Sequence, residues 1–183
     1  VLAIACLPPA IVGAALGGPI ERRLGTPATV AAGLAAGGAA MALAERRGRS
    51  GRVRADAGVG DAVALGVAQT LALIPGVSRS GATRAAARWR GFGRLEADAL
   101  SAEVGLPITL GALALKGRET LVDGERAELA PLATGALAAF ASTLVTASAS
   151  RRLGGARSLS PYAAYRVALA AAVVRRLRQN GRR

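Results

Sequence analysis

Between Pro75 and Thr83 the sequence reads Pro-Gly-Val-Ser-Arg-Ser-Gly-Ala-Thr. Ser78, Ser80 and Thr83 bring hydroxyls, and Arg79 brings a planar fork of N–H donors. Gly76 and Gly81 let the backbone bend close to a ligand. A helix opening just after this knot would add its unpaired first-turn N–H groups. Hydroxyls, a guanidinium and a helix N-terminus together suit a phosphate or a diphosphate. A second reading stays open from the residues alone: a structural break in which Arg79 pairs with a carboxylate such as Glu103 or Asp98.

The knot holds no carboxylate and the chain no histidine. Phosphate hydrolysis requires an activated water, usually with acid–base help or a metal. The nearby carboxylates in sequence are Glu96, Asp98 and Glu103, of which Glu103 lies deepest in an apolar run. Gln69, six residues before Pro75, is placed to line the same site. The candidate residues are therefore Ser78, Arg79, Ser80 and Thr83 for the chemistry. Gln69, Gly76, Gly81 and Glu103 join Ser78, Arg79 and Ser80 for binding. No metal ligands are assigned.

The elements that must position this knot are apolar. The chain of 183 residues is 52% hydrophobic with mean hydropathy +0.37, and Ala, Leu, Val and Gly carry that content while aromatics make up only 3%. Charges are swept into short clusters between long uncharged stretches, the pattern of membrane spans rather than of an Ala-rich soluble bundle. The fold class predicted is all-α: a polytopic membrane protein, read as a single integral membrane domain over 1–183. The net charge of +13 comes from arginines at the ends of apolar runs, where lipid headgroups and the positive-inside bias account for them. No basic patch interleaved with aromatics is present, so nucleic acid is not expected as a partner. The lone Cys6 can form no intrachain disulfide.

Spans are predicted over about 1–20, 27–44, 95–115, 129–149 and 160–177. Val1 lies inside an apolar run with no basic residues before it, so the opening stretch does not read as a signal peptide, and further chain is expected upstream. Pro8-Pro9 is tolerated in a span when a neighbouring helix satisfies the freed carbonyls. Thr26-Pro27 and Ser160-Pro161 read as capped helix starts. Gly33-x-x-x-Gly37 marks a close helix contact. The segments 55–74 and 82–92 flank the knot, and the second is too short to cross a bilayer. They are predicted to form a broken, re-entrant pair. This places the basic stretches 46–54, 84–94 and 151–157 on one side and the acid-leaning loop 117–128 on the other, as the positive-inside bias requires; the basic C-terminus is the exception.

Gly66-x-x-Gln69 followed by Leu71-Ala72-Leu73-Ile74-Pro75-Gly76-Val77-Ser78-Arg79-Ser80-Gly81-Ala82-Thr83 resembles the second signature region of the undecaprenyl-diphosphate phosphatases of the bacitracin-resistance type. Pro8-Pro9-Ala10-Ile11-Val12-Gly13, Ser101 with Leu106-Pro107, and Ser160-Pro161-Tyr162-Ala163-Ala164-Tyr165-Arg166 extend the resemblance. The resemblance implies a multi-pass protein of the bacterial plasma membrane, built from inverted repeats with broken re-entrant segments. It implies hydrolysis of undecaprenyl diphosphate to undecaprenyl phosphate, recycling the lipid carrier of peptidoglycan synthesis. It also implies diphosphate binding by Ser78, Arg79 and Ser80, with Thr83 and Gln69 near, and a divalent cation, Mg or Ca. Membrane lipids are the other partner, and a homodimer is left open. The family's first signature, a Glu-x-x-x-Glu stretch followed by a histidine, has no counterpart in the chain. The acidic ligands are accordingly expected outside it. Two alternatives follow: a degenerate or truncated lipid-diphosphate-binding homologue, which would bind without turnover, and a transporter or flippase, which would move the ligand without releasing phosphate.

Overall fold

Pro27 opens the second helix where a prolyl nitrogen costs no hydrogen bond, and Thr26 caps it: the Thr29 N–H donates to Thr26 Oγ1 at 3.3 Å. In the computed structural model, residues 2–47, 51–122, 129–152 and 158–180 are described. They form α1 (Leu2–Leu24), α2 (Pro27–Arg47), a 3-10 turn at Arg54–Asp56, α3 (Val59–Leu71), α4 (Arg79–Trp89), α5 (Arg94–Val122), α6 (Leu129–Arg152) and α7 (Ser160–Asn180). α1, α2 and Arg94–Leu115 of α5 are long and apolar enough to cross a bilayer. Large apolar side chains such as Ile11, Leu106, Leu113, Leu137 and Val145 stand exposed on the helices. That surface suits lipid, and the chain is an all-α membrane protein.

The chain divides into two units, Val1–Ile108 with Arg157–Arg183, and Thr109–Ala156. The second holds the later part of α5 and α6. The first holds everything around the knot, with α2 packed on α7 and on α4, α1 on α3, and α3 on α4.

Several sequence boundaries shift. The run 55–74 is a helix only from Val59 to Leu71, because Gly58 ends the extended approach and its N–H donates to Asp61 Oδ2 at 2.9 Å. The helix expected at 82–92 begins at Arg79 and stops at Trp89. α5 runs through Pro107 and continues to Val122, so 117–122 is helix rather than loop. The remainder of that acid-leaning loop, 123–128, lies outside the described residues, as do parts of the basic stretches 46–54 and 151–157.

Pro9 in α1 carries no N–H, so the carbonyl of Ala5 loses its helical donor. Gln69 of α3 supplies the replacement, Nε2 donating to Ala5 O at 3.0 Å. Gly66, one turn earlier, keeps the two backbones close: a Cβ there would stand 3.1 Å from the same carbonyl.

α3 and α4 form a hairpin whose two ends are fastened together. Arg52 and Phe92 make an isolated parallel bridge, the Arg52 N–H donating to Gly91 O at 3.2 Å. The Arg52 guanidinium stacks 4.3 Å from the centre of the Phe92 ring and grips Asp61 with both Nη atoms, at 2.9 and 2.7 Å. Arg90 Nε reaches the same carboxylate at 2.6 Å, and Asp61 is only 2% exposed. The two arginines remain 34% and 46% exposed, so solvent screens part of the attraction. Asp61→Asn is expected to cost about 1–3 kcal/mol, below the full penalty for breaking a buried pair. A thermal midpoint in detergent unchanged from that of the unaltered chain would show that the staple contributes nothing.

Close by, Glu45 at the end of α2 receives Arg94 Nε at 2.7 Å and the Leu159 N–H at 3.2 Å. The start of α7 is thereby tied to the same charged end. Ser160 is the first residue of α7 rather than its cap, and its N–H donates to Ser158 Oγ at 3.2 Å.

Candidate anion-binding site

The turn that opens the knot lies away from this charged end. Gly33, against which it rests, is a little over three turns along α2 from Glu45, about 18 Å at 1.5 Å per residue. After α3 ends at Leu71, two successive turns carry the chain through Pro75 and Gly76. Gly76 adopts φ +93°, a conformation that residues with a Cβ rarely take. Any side chain there would also strike the α2 backbone, since a Cβ would fall 2.2 Å from Val30 O. Reciprocally, a Cβ on Gly33 would fall 2.4 Å from Pro75 O. The turn therefore beds directly on helix backbone.

Ser78 ends the turn and caps α4, with Oγ accepting the Gly81 N–H at 3.2 Å. It does so because its own backbone is extended, φ −70° and ψ 125°, which points Oγ back over the first turn. Ser80 Oγ lies 3.4 Å from Ser78 Oγ and Ser80 is exposed. Arg79, half-buried, donates from Nη1 to the carbonyl of Gly105 on α5. Its guanidinium lies so close to Gly105 that a Cβ there would sit 3.1 Å from it. The open face of the knot thus combines two serine hydroxyls, the Arg79 guanidinium and the positive end of α4.

Thr83 and Gly81 hold this face from behind, and the remaining candidates lie away from it. Thr83 is 1% exposed, shares a 2.6 Å hydrogen bond with Ser101 Oγ, and donates back to Arg79 O at 3.0 Å. Gly81 is buried against Met41 of α2. Gln69 is buried on the α1 side, occupied with Ala5. Glu103 is turned away: it is exposed and pairs with Arg54. Asp98 pairs with Arg84 at 3.0 Å. Both carboxylates offered by the sequence as partners for Arg79 are thus engaged by other arginines. Ser101 and Gly105 are site residues that side-chain chemistry did not single out as such. They lie four apart on α5, the spacing that puts both on one face, and that spacing was the available signal.

The sequence matches the family model of the bacitracin resistance protein BacA over residues 1–172. The chain belongs to this family. Among its BacA relatives, an undecaprenyl-diphosphatase of Geobacter metallireducens is 37% identical over 171 residues, 92% of this chain and 64% of the relative. One of Methylibium petroleiphilum is 36% identical over 190 aligned positions, 94% of this chain and 66% of the relative. One of Ruegeria sp. (strain TM1040) is 36% identical over 132 residues, 72% and 49% respectively. The chain therefore spans about half to two thirds of the length of these curated relatives.

The donor set of the knot fits an anion and does not fit a divalent cation. Its side chains are hydroxyls and a guanidinium, whereas Mg and Ca take carboxylate and carbonyl oxygens. Among the described residues no three His, Cys, Asp or Glu side chains converge.

Proposed function

We propose that this chain carries the diphosphate-binding part of an enzyme that hydrolyses undecaprenyl diphosphate to undecaprenyl phosphate and phosphate, in a bacterial plasma membrane. The supporting observation is the open face of the knot: Ser78 and Ser80 hydroxyls 3.4 Å apart, beside Arg79, at the N-terminus of α4. A diphosphate carries charge on both phosphates, and among the described residues this face supplies hydroxyl and guanidinium donors and no carboxylate. The α3–α4 hairpin would enter the membrane from its charged end and return to it, so that the prenyl chain lies along the apolar helices while the head group reaches the knot. Water attacks the terminal phosphorus, the bridging P–O bond breaks, and the prenyl monophosphate leaves. Arg79 stabilises the charge that builds on the phosphates during that step. The inverted-repeat architecture, a Mg or Ca ion and a homodimer are carried by family resemblance.

The groups that activate water are assigned to sequence outside this chain. The test is phosphate release from undecaprenyl diphosphate in detergent. It compares the chain alone with the chain extended by the N-terminal repeat of the Geobacter metallireducens relative. Both forms are expected to bind the lipid diphosphate and only the extended form to release phosphate. Absence of binding by either form would sink the reading. Full turnover by the chain alone would overturn the assignment of the catalytic groups.

A further inference from the structure

The knot has a third support, from a helix remote in sequence. Arg166 of α7 donates from Nη2 to the carbonyl of Gly76, ninety residues away. Its guanidinium lies against Gly37, where a Cβ would already be in contact at 3.6 Å. Nε is buried without a hydrogen-bond partner, and the Gly76 carbonyl is the one polar partner of this side chain among the described residues. No carboxylate reaches it among those residues. Burying part of a cation with no anion beside it is unfavourable. Packing does not explain the arrangement. α7 is already seated on α2 by Met41, Leu159 and Ala163, one to two turns nearer the charged end. An apolar side chain would serve that contact at lower cost.

We propose that Arg166 is a positioning residue of the diphosphate cradle, holding the Gly76 carbonyl so that the turn aims Ser78, Arg79 and Ser80 at the ligand. The turn is otherwise held through backbone contact with Gly33 on one side and through Ser101 and Gly105 beyond α4 on the other. Gly76 lies between these supports, at the residue whose φ directs the chain into α4. A charged donor on its carbonyl fixes that peptide plane more firmly than a neutral one. The proposal rests on the diphosphate reading above, and its test separates the two.

The full chain in detergent micelles is titrated with farnesyl diphosphate by calorimetry, with circular dichroism reporting helix content and thermal midpoint. R166M, which keeps length and loses the donor, is expected to bind about tenfold or more weakly, as the loss of one charge-assisted hydrogen bond implies, with helix content unchanged. R166K, which restores a charged donor, is expected to bind within about threefold of the unaltered chain, because the ammonium still reaches a carbonyl. R79M serves as the control on the reading itself. Unaltered affinity in R166M with a large loss in R79M would overturn the positioning role and leave the diphosphate site standing. No binding by the unaltered chain, or undiminished binding by R79M, would overturn both. If R166M does not fold, R166Q, which leaves only a neutral donor, decides: binding weakened about threefold or more with helix content unchanged supports the role, and undiminished binding overturns it.

Discussion

Arg79→Met is expected to weaken farnesyl diphosphate binding by about 30-fold or more, the consequence of removing a desolvated guanidinium from a charged ligand, worth about 2–5 kcal/mol. The effect is large because Arg79 is set by its surroundings. The guanidinium lies on Gly105, which leaves room for it by having no Cβ, and is anchored there through the carbonyl oxygen. Arg79→Lys is expected to recover only part of the affinity, because an ammonium cannot hold the carbonyl and present a planar fork to phosphate at once. Calorimetry on the three chains in the same micelles measures both effects. Equal affinity in the unaltered chain and in Arg79→Met would mean that the open face of the knot is not the binding face.

Gly76→Ala is expected to be the most destabilising single methyl in the chain, at roughly 3 kcal/mol or more. About 1–3 kcal/mol of that is backbone strain at φ +93°. The remainder comes from forcing a Cβ into the Val30 carbonyl 2.2 Å away, where the atoms in the way are helix backbone and cannot swing aside. Gly17→Ala in α1 is the matched comparison. It adds the same methyl where nothing lies within 4 Å, and helix propensity predicts a neutral or slightly stabilising change of up to about 1 kcal/mol. Thermal midpoints in detergent separate the two. Similar midpoints for both variants would show that the turn can leave its bed on α2 without cost.

The parts of the site legible in the sequence are those built from neighbours in the chain. The Thr26 cap, and the oxygen-rich knot with a helix following it, depend on residues a few positions apart. The sequence puts the start of α4 three residues late because the Gly-Ser composition reads as loop; once Ser78 caps the helix, Ser80 and Gly81 belong to its first turn. Glu103 shows what position along a run leaves out. It is deep in its apolar run by position, yet two residues on from Ser101 means a rotation of about 200° around the helix, so it faces away from the knot. Its distance from Pro75 makes Gln69 read as a site residue. Its real task follows from Pro9 in another helix, a signal visible only if the orphaned carbonyl of Ala5 is counted. The contact of Arg166 with Gly76 had no local signal at all, since it exists only after α7 has packed on α2.

That long-range contact also sets an order of completion. The α2 bed is synthesised before the knot that rests on it, and the hairpin can close through Arg52 and Phe92 as soon as α4 has emerged. Ser101 and Gly105 follow within the next helix. The donor to the Gly76 carbonyl arrives last, on α7. A nascent chain halted before Ser160 would have every residue of the open face in hand and still lack the contact that holds the turn. The turn is therefore fastened from α7, long after the residues of its own open face have been made.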